Sequence, residues 1–406
     1  MLPALAERAR ATATEDKMRK QRQIAIALLA AVIGAPSCES DTNPTGATSK
    51  PGGNGGGTKP GEDVVDSDTS AGEDTAGPVL TGDPVWRLVE LGESATWKDL
   101  TGYVREDGTS VVALCGTNGV VGVYDGVTPV WRNLGIANSI NGVWAHDDAT
   151  MVVAGDGGII RHYDATTGGW TDAAEYGLYP NLPDFLAVGG GAPDDIYAGG
   201  VSGTLWHFDG LEWSPVKDLA RNGGSPTDTS VSSIWVDAEQ RAWITSGTNV
   251  IWGKGFTWNR YAPDQAFKLE AVHGAAGGPV FAVGWSPKIL RYEAGDWALD
   301  SGGIVAPLLP GVFAWAPDGA LAVTRNKTQP LLMWRMTDGA LAWDRVREED
   351  ALAFTNTGKG KEPINATALE LGKVWGTGPE DLTILVSPVA GGTSADLLQF
   401  RRFTAE

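Results

Sequence analysis

The sequence predicts an all-β chain folded as a seven-bladed β-propeller with four-stranded antiparallel blades. Three observations carry that expectation. Tryptophans recur at Trp86, Trp131, Trp170, Trp213, Trp258, Trp297 and Trp343, spaced by 45, 39, 43, 45, 39 and 46 residues. A period of roughly 40–50 residues with four short strands per unit is the pattern of propeller blades. Three further strand types, A, B and C, recur seven times each, and the periodic tryptophan marks the fourth, D. The composition is also rich in glycine (55) and tryptophan (17) and only 20% charged, which favours strands and tight turns over helices.

The chain opens on a leader. Lys17, Arg19, Lys20 and Arg22 form a basic cluster ahead of the uncharged run IAIALLAAVIGA, residues 24–35. Such a run is too short for a membrane span of about 20 residues and fits the core of a signal peptide. Residues 1–37 therefore read as leader, its start at Met1 or at Met18, the latter giving a compact form. Residues 38–82 hold Ser, Thr, Gly, Pro and Asp with almost nothing apolar, so they cannot bury enough surface to fold and read as a flexible tether. The propeller is expected over 83–406.

Within it the A strands end on a hydrophobic pair, V-W or similar. They are read at Leu100 to Tyr103, Ile140 to Trp144, Phe185 to Val188, Val231 to Trp235, Leu269 to Val272, Gly311 to Trp315 and Leu371 to Trp375. The B strands are short and apolar and often end in glycine, as in VVALCG at 111–116 and VFAVG at 280–284. The C strands often end in an aromatic and an acid, as in IIRHYD at 159–164. The order of strands predicts how the ring closes. A D strand at 84–90 precedes the first A strand, and the last repeat stops after its C strand. The N-terminal strand is therefore expected to complete blade seven, with 371–404, and to remove two free edges. Nothing in 344–370 alternates like strands, so no eighth blade is expected.

Two resemblances follow from these residues. Ala35, Pro36, Ser37 and Cys38 resemble the lipobox of bacterial lipoproteins. That resemblance implies lipidation of Cys38 and an exported chain anchored to the bacterial envelope by lipid alone. Cleavage by ordinary signal peptidase, releasing a soluble secreted protein, is the alternative. The repeats are similar to those of secreted bacterial β-propeller proteins. Gly199-Gly200 after a B strand, and the spacing of Tyr124 to Trp131 and Tyr163 to Trp170, resemble kelch repeats. The resemblance implies the fold and says little about function.

Charge and motifs narrow the function classes. A net charge of −19 repels phosphate backbones, so nucleic acid is not an expected partner. The four histidines show no metal-ligand spacing, and no metal or cofactor is expected. His162 and His207 fall at the same C-strand position in neighbouring blades, which points to packing between blades. Cys115 lies in an apolar strand and reads as a small buried hydrophobe, with a Cys38–Cys115 disulfide open only without lipidation. Acid pairs such as Asp147-Asp148 and Asp194-Asp195 sit at A–B connections and read as turn residues. Arg161, Arg241, Arg291 and Arg325 are too scattered to form the arginine cluster of a sialidase-type enzyme.

Ligand contacts are instead expected on the face that carries the D–A and B–C loops. The D–A loops are long: 171–184 with Tyr176 and Tyr179, 214–230 with Arg221, and 344–370 with charges of both signs. The B–C loops add Trp285, Lys288, Arg325 and Lys327, residue types including those enriched at binding surfaces. The expectation is a monomeric, non-catalytic, membrane-tethered propeller binding a protein or a glycan at the cell envelope. A secreted glycoside hydrolase or lyase is the alternative, to be recognised by two carboxylates about 5–9 Å apart at the channel mouth. A structural envelope protein without a defined ligand is a third reading.

Overall fold

The computed structural model describes residues 83–173, 182–216, 229–300, 306–354, 364–365, 369–388 and 395–402. They form seven four-stranded antiparallel sheets ordered from strand A at the centre to strand D at the rim, six of them meanders of consecutive strands. The A strands of blades 1 to 7 are Trp97–Val104, Ile140–Ala145, Phe185–Ala192, Val231–Val236, Leu269–Gly274, Gly311–Ala316 and Leu369–Gly378. All seven periodic tryptophans lie on D strands.

The ring closes as the strand order predicts. Val85–Val89 pairs antiparallel with Leu397–Arg401 and places Trp86 opposite Phe400. Trp86 packs edge-on against Phe354 at 5.1 Å, and its indole donates to the Leu352 carbonyl at 3.0 Å. Leu352 and Ala353 are buried, so part of the long 344–370 connection belongs to the core between blades 6 and 7. Other D-strand tryptophans latch onto the preceding blade: Trp170 donates to the Arg132 carbonyl at 2.7 Å and Trp213 to His162 Nε2 at 2.8 Å. Burial holds the His162 pKa below its ordinary value, which keeps that nitrogen an acceptor. His207 shares the register of His162 but works within its own blade, bound to Asp195 at 2.8 Å and stacked on Tyr197.

The core is divided among the blade interfaces. Blades 1 and 2, for example, enclose Val111, Ala113, Cys115, Val121, Ile140 and Val153. B strands are sandwiched by blades on both sides, so Ser110–Gly116 and Met151–Gly155 are buried throughout and read as unbroken apolar runs. Cys115 is a free, fully buried thiol. The glycine that ends several B strands has a steric cause. A Cβ at Gly155, Gly200 or Gly284 would fall 2.3, 2.3 or 2.0 Å from the carbonyl just ahead of its own A strand.

The A strands share one irregularity. In blades 1 to 5 the register slips by a residue after the first buried position, and in blade 7 after Leu371. Such a bulge bends the strand and re-aims the residue left unpaired. It creates a repeat of apolar, two variable, apolar: Trp97 to Leu100, Ile140 to Val143, Phe185 to Val188, and so on to Leu371 to Val374. Two sequence frames need correction. In blade 1 the motif runs from Trp97 to Leu100, three residues before the one expected. In blade 6 pairing with the B strand sets Val312 opposite Ala322, so Phe313 and not Trp315 matches Trp144. Neighbouring aromatics imitate the motif in both places, and only strand pairing fixes register.

The acid pairs at the turns have structural partners. Asp147 accepts from the backbone N–H of Ala149 and Thr150, and Asp148 accepts from Tyr103 Oη at 2.6 Å and Arg105 Nε at 2.7 Å in the preceding blade.

Candidate functional site

The A strands enclose a central channel of about 890 Å³. Variable residues of these motifs face it near the loop side. Blade 1 supplies Lys98 and Asp99, blade 4 Ser232 and Ser233, blade 5 Glu270, and blade 7 Lys373. The next level down holds Trp144, Trp235, His273, Phe313 and Trp375, with Thr101 and Gly189 completing the turn of the ring.

This aromatic level is built by complementarity. Trp144 lies on Gly190 of the following blade, Trp235 on Gly274 and Trp375 on Gly102, where a Cβ would come within 2.8, 2.8 and 2.6 Å of the indole. His273 is set between Trp235 and Phe313, with ring centroids at 5.2 and 4.7 Å. Its Nδ1 accepts from the Ala314 N–H at 3.1 Å. Burial deep in the ring of blades pushes its pKa down to about 3, so the imidazole is neutral and the lone pair available.

The polar level above carries the charge. The Asp99 carboxylate accepts from the Val143 N–H at 3.2 Å. Burial raises its pKa, against the opposing pull of Lys373 and of the Val143 and Leu100 N–H groups. Lys373 reaches past blade 6 and donates to the Glu270 carbonyl at 3.2 Å. Glu270 turns to the rim, where one carboxylate oxygen accepts from Lys268 Nζ at 2.7 Å and from the Trp285 indole. Arg325 pairs with Glu370 at 3.3 Å on the same face.

Of the residues expected to bind a ligand, Trp285 stands at the rim, 56% exposed and tied to Glu270. Lys288 is nearby in the same loop and donates to Gln265. Arg325 and Lys327 are exposed in the blade 6 B–C loop. Tyr176, Tyr179, Arg221 and Cys38 lie outside the described residues. The sequence reading passed over Lys98, Asp99, Glu270, Lys373 and the aromatic level. Their signal was present in the paired variable positions of the A-strand motif, once those motifs are set in register. Arg161, Arg241 and Arg291 pair with Asp172, Asp237 and Asp300 on blades 2, 4 and 5, so they do not converge.

The chain matches no protein-family model and no curated protein. Among solved structures it is similar to YCF48 bound to D1 peptide, at 16% identity and a TM-score of 0.56, over 80% of this chain and 99% of that one. It is similar to YCF48 from Cyanidioschyzon merolae at 17% identity and a TM-score of 0.56, over 78% and 99%. A chain of the crystal structure of the mitotic checkpoint complex aligns at 14% identity and a TM-score of 0.57, over 85% and 100%. At such identities the likeness establishes the fold, an all-β seven-bladed propeller.

Proposed function

We propose that this propeller is a non-catalytic binding module that seats a segment of another protein at the channel mouth. The observation that carries the reading is the state of the two carboxylates lining the channel. Glu270 is held by Lys268 and Trp285, and Asp99 is turned to backbone N–H, so each is committed to the scaffold rather than poised over a substrate. A glycosidase needs one carboxyl group as acid and the other free to attack or to activate water. The channel volume falls in the range of roughly 300–1,000 Å³ typical of ligand pockets. A similar fold in a structure bearing a bound peptide lends the reading support. A glycan is the second reading, favoured by the exposed Trp285 indole at the rim.

The test is site-specific photo-crosslinking in the cell envelope. A crosslinking amino acid at Trp285 should trap a protein partner, whereas one at Phe256, on a C–D turn of the opposite face, should not. Equal trapping at both positions overturns the reading. Release of reducing sugar from envelope polysaccharide, lost in both Asp99→Asn and Glu270→Gln, would carry the enzyme alternative. Attachment to the envelope through a lipidated Cys38 belongs to the same proposal and rests on the leader and tether. Mass spectrometry of the mature N-terminus should show an acylated cysteine, and an unmodified start at Glu39 would remove the anchor.

A further inference from the structure

We infer that the segment held at the channel mouth is acidic, its carboxylate pairing with Lys98 and Lys373 while its apolar side chains settle on the aromatic level below. The inference rests on the reading of the mouth as a protein-binding site and names the chemistry of the partner.

The argument begins with a charge contrast. The chain carries a net charge of −19, yet its channel gathers three lysines, Lys98, Lys268 and Lys373, against two carboxylates, Asp99 and Glu270. Lys268 and Glu270 satisfy each other at 2.7 Å. Lys98 is exposed and forms no ion pair among the described residues. Lys373 donates to a neutral carbonyl. Its carboxylate neighbour, Asp99, accepts from the Val143 N–H rather than from either lysine. The channel thus holds one more lysine than carboxylate, and neither Lys98 nor Lys373 has a carboxylate in ion-pair contact among the described residues. A cleft lined by one sign of charge with low-dielectric walls focuses its field and concentrates ligands of the opposite sign.

The other ligand classes fit less well. A cationic segment would meet Lys98 and Lys373 with Glu270 already engaged. A neutral glycan would cover Lys373 and leave a charge buried without a partner, which is costly. Free phosphate would satisfy the lysines and leave Trp144, Trp235, Phe313 and Trp375 unused. A peptide with carboxylates and apolar side chains satisfies both levels.

The test uses three labelled peptides of equal length in fluorescence anisotropy with the intact protein: alternating phenylalanine with glutamate, with glutamine, or with lysine. The glutamate peptide should bind, more weakly as salt rises, and should lose about tenfold in affinity in Lys98→Gln and in Lys373→Met. Lys373→Arg should keep the preference for glutamate. Thermal unfolding and near-ultraviolet circular dichroism of each variant establish that it is folded. The inference is overturned if the glutamate peptide does not bind, if glutamine binds as tightly, or if neither lysine variant weakens binding. Binding of the glutamine peptide that is lost in Trp285→Ala would leave the mouth a peptide site and remove only the charge assignment. No binding by any peptide, with no protein crosslinked from Trp285, would remove both.

Discussion

The indole nitrogen of Trp97 donates to Asp396 across 2.7 Å, joining residues 299 apart in the chain. The second oxygen of the same carboxylate accepts the Leu91 N–H at 2.7 Å, and the Asp396 N–H donates to the Val89 carbonyl at 2.8 Å. One aspartate therefore ties the last C strand, the exit of the closing strand and the first A strand together at the seam of the ring. Asp396→Ala leaves a part-buried indole N–H and a backbone N–H without acceptors. At about 1–3 kcal/mol for each orphaned group, a loss of about 3 kcal/mol is expected, read as a lower urea midpoint. Asp396→Asn, which retains one acceptor oxygen, should lose less.

Two tryptophans make a matched pair for a second prediction. Trp86 is 2% exposed and fills the interface of blades 6 and 7, whereas Trp285 is 56% exposed on the rim. Trp86→Ala should cost about 3–5 kcal/mol of stability, since it opens a large cavity. Trp285→Ala should fall within about 0.5 kcal/mol of the parent, as surface substitutions usually do. Equilibrium unfolding of both variants checks the contrast.

The fit of Trp235 on Gly274 predicts a coupling. A Cβ at Gly274 would lie 2.8 Å from the indole, so Gly274→Ala overpacks the channel wall and should cost about 1–3 kcal/mol. Trp235→Phe shortens the offending ring. Combined with Gly274→Ala it should recover part of the loss, giving a double-mutant cycle with a non-additive term of about 1 kcal/mol.

Two buried groups set opposite pH slopes. The Asp99 pKa is raised above 3.8 by burial, so above that value the folded protein retains a proton that the unfolded chain has released. Its contribution to stability therefore falls as pH rises through that window. Asp99→Asn should remove the fall and stabilise the protein near neutral pH. The His273 pKa is lowered from 6.5 to about 3, so the unfolded chain takes up the proton first. Stability is lost as pH drops from 6.5 toward 3, and His273→Gln, which keeps an acceptor for the Ala314 N–H, should flatten that slope. Thermal midpoints across pH, for parent and variants, read both effects.

The fold was legible because its signals are local and periodic. Trp86 to Trp343 count the D strands, and the position of Trp86 ahead of the first A strand identifies the closing one. Register was legible only where a blade lacks a competing aromatic. Tyr103 and Trp315 each offer a false anchor, and the pairing that excludes them lies in another strand. The channel chemistry was the least legible. Lys373 and Asp99 sit 274 positions apart in numbering and become neighbours only because the ring closes. Cys115 was readable from its apolar run, since burial of a small thiol needs no distant partner.

The bulge in the A strands has a consequence for how such a protein acquires specificity. Its two variable residues per blade lie between two apolar residues that hold neighbouring blades together. They differ in how freely they can be exchanged: Asp99 and Ser233 accept the Val143 and Val272 N–H of the following blade, whereas Lys98 forms no ion pair among the described residues. Randomising Lys98 should therefore keep the fold, whereas randomising Asp99 or Ser233 should also loosen the seam between two blades.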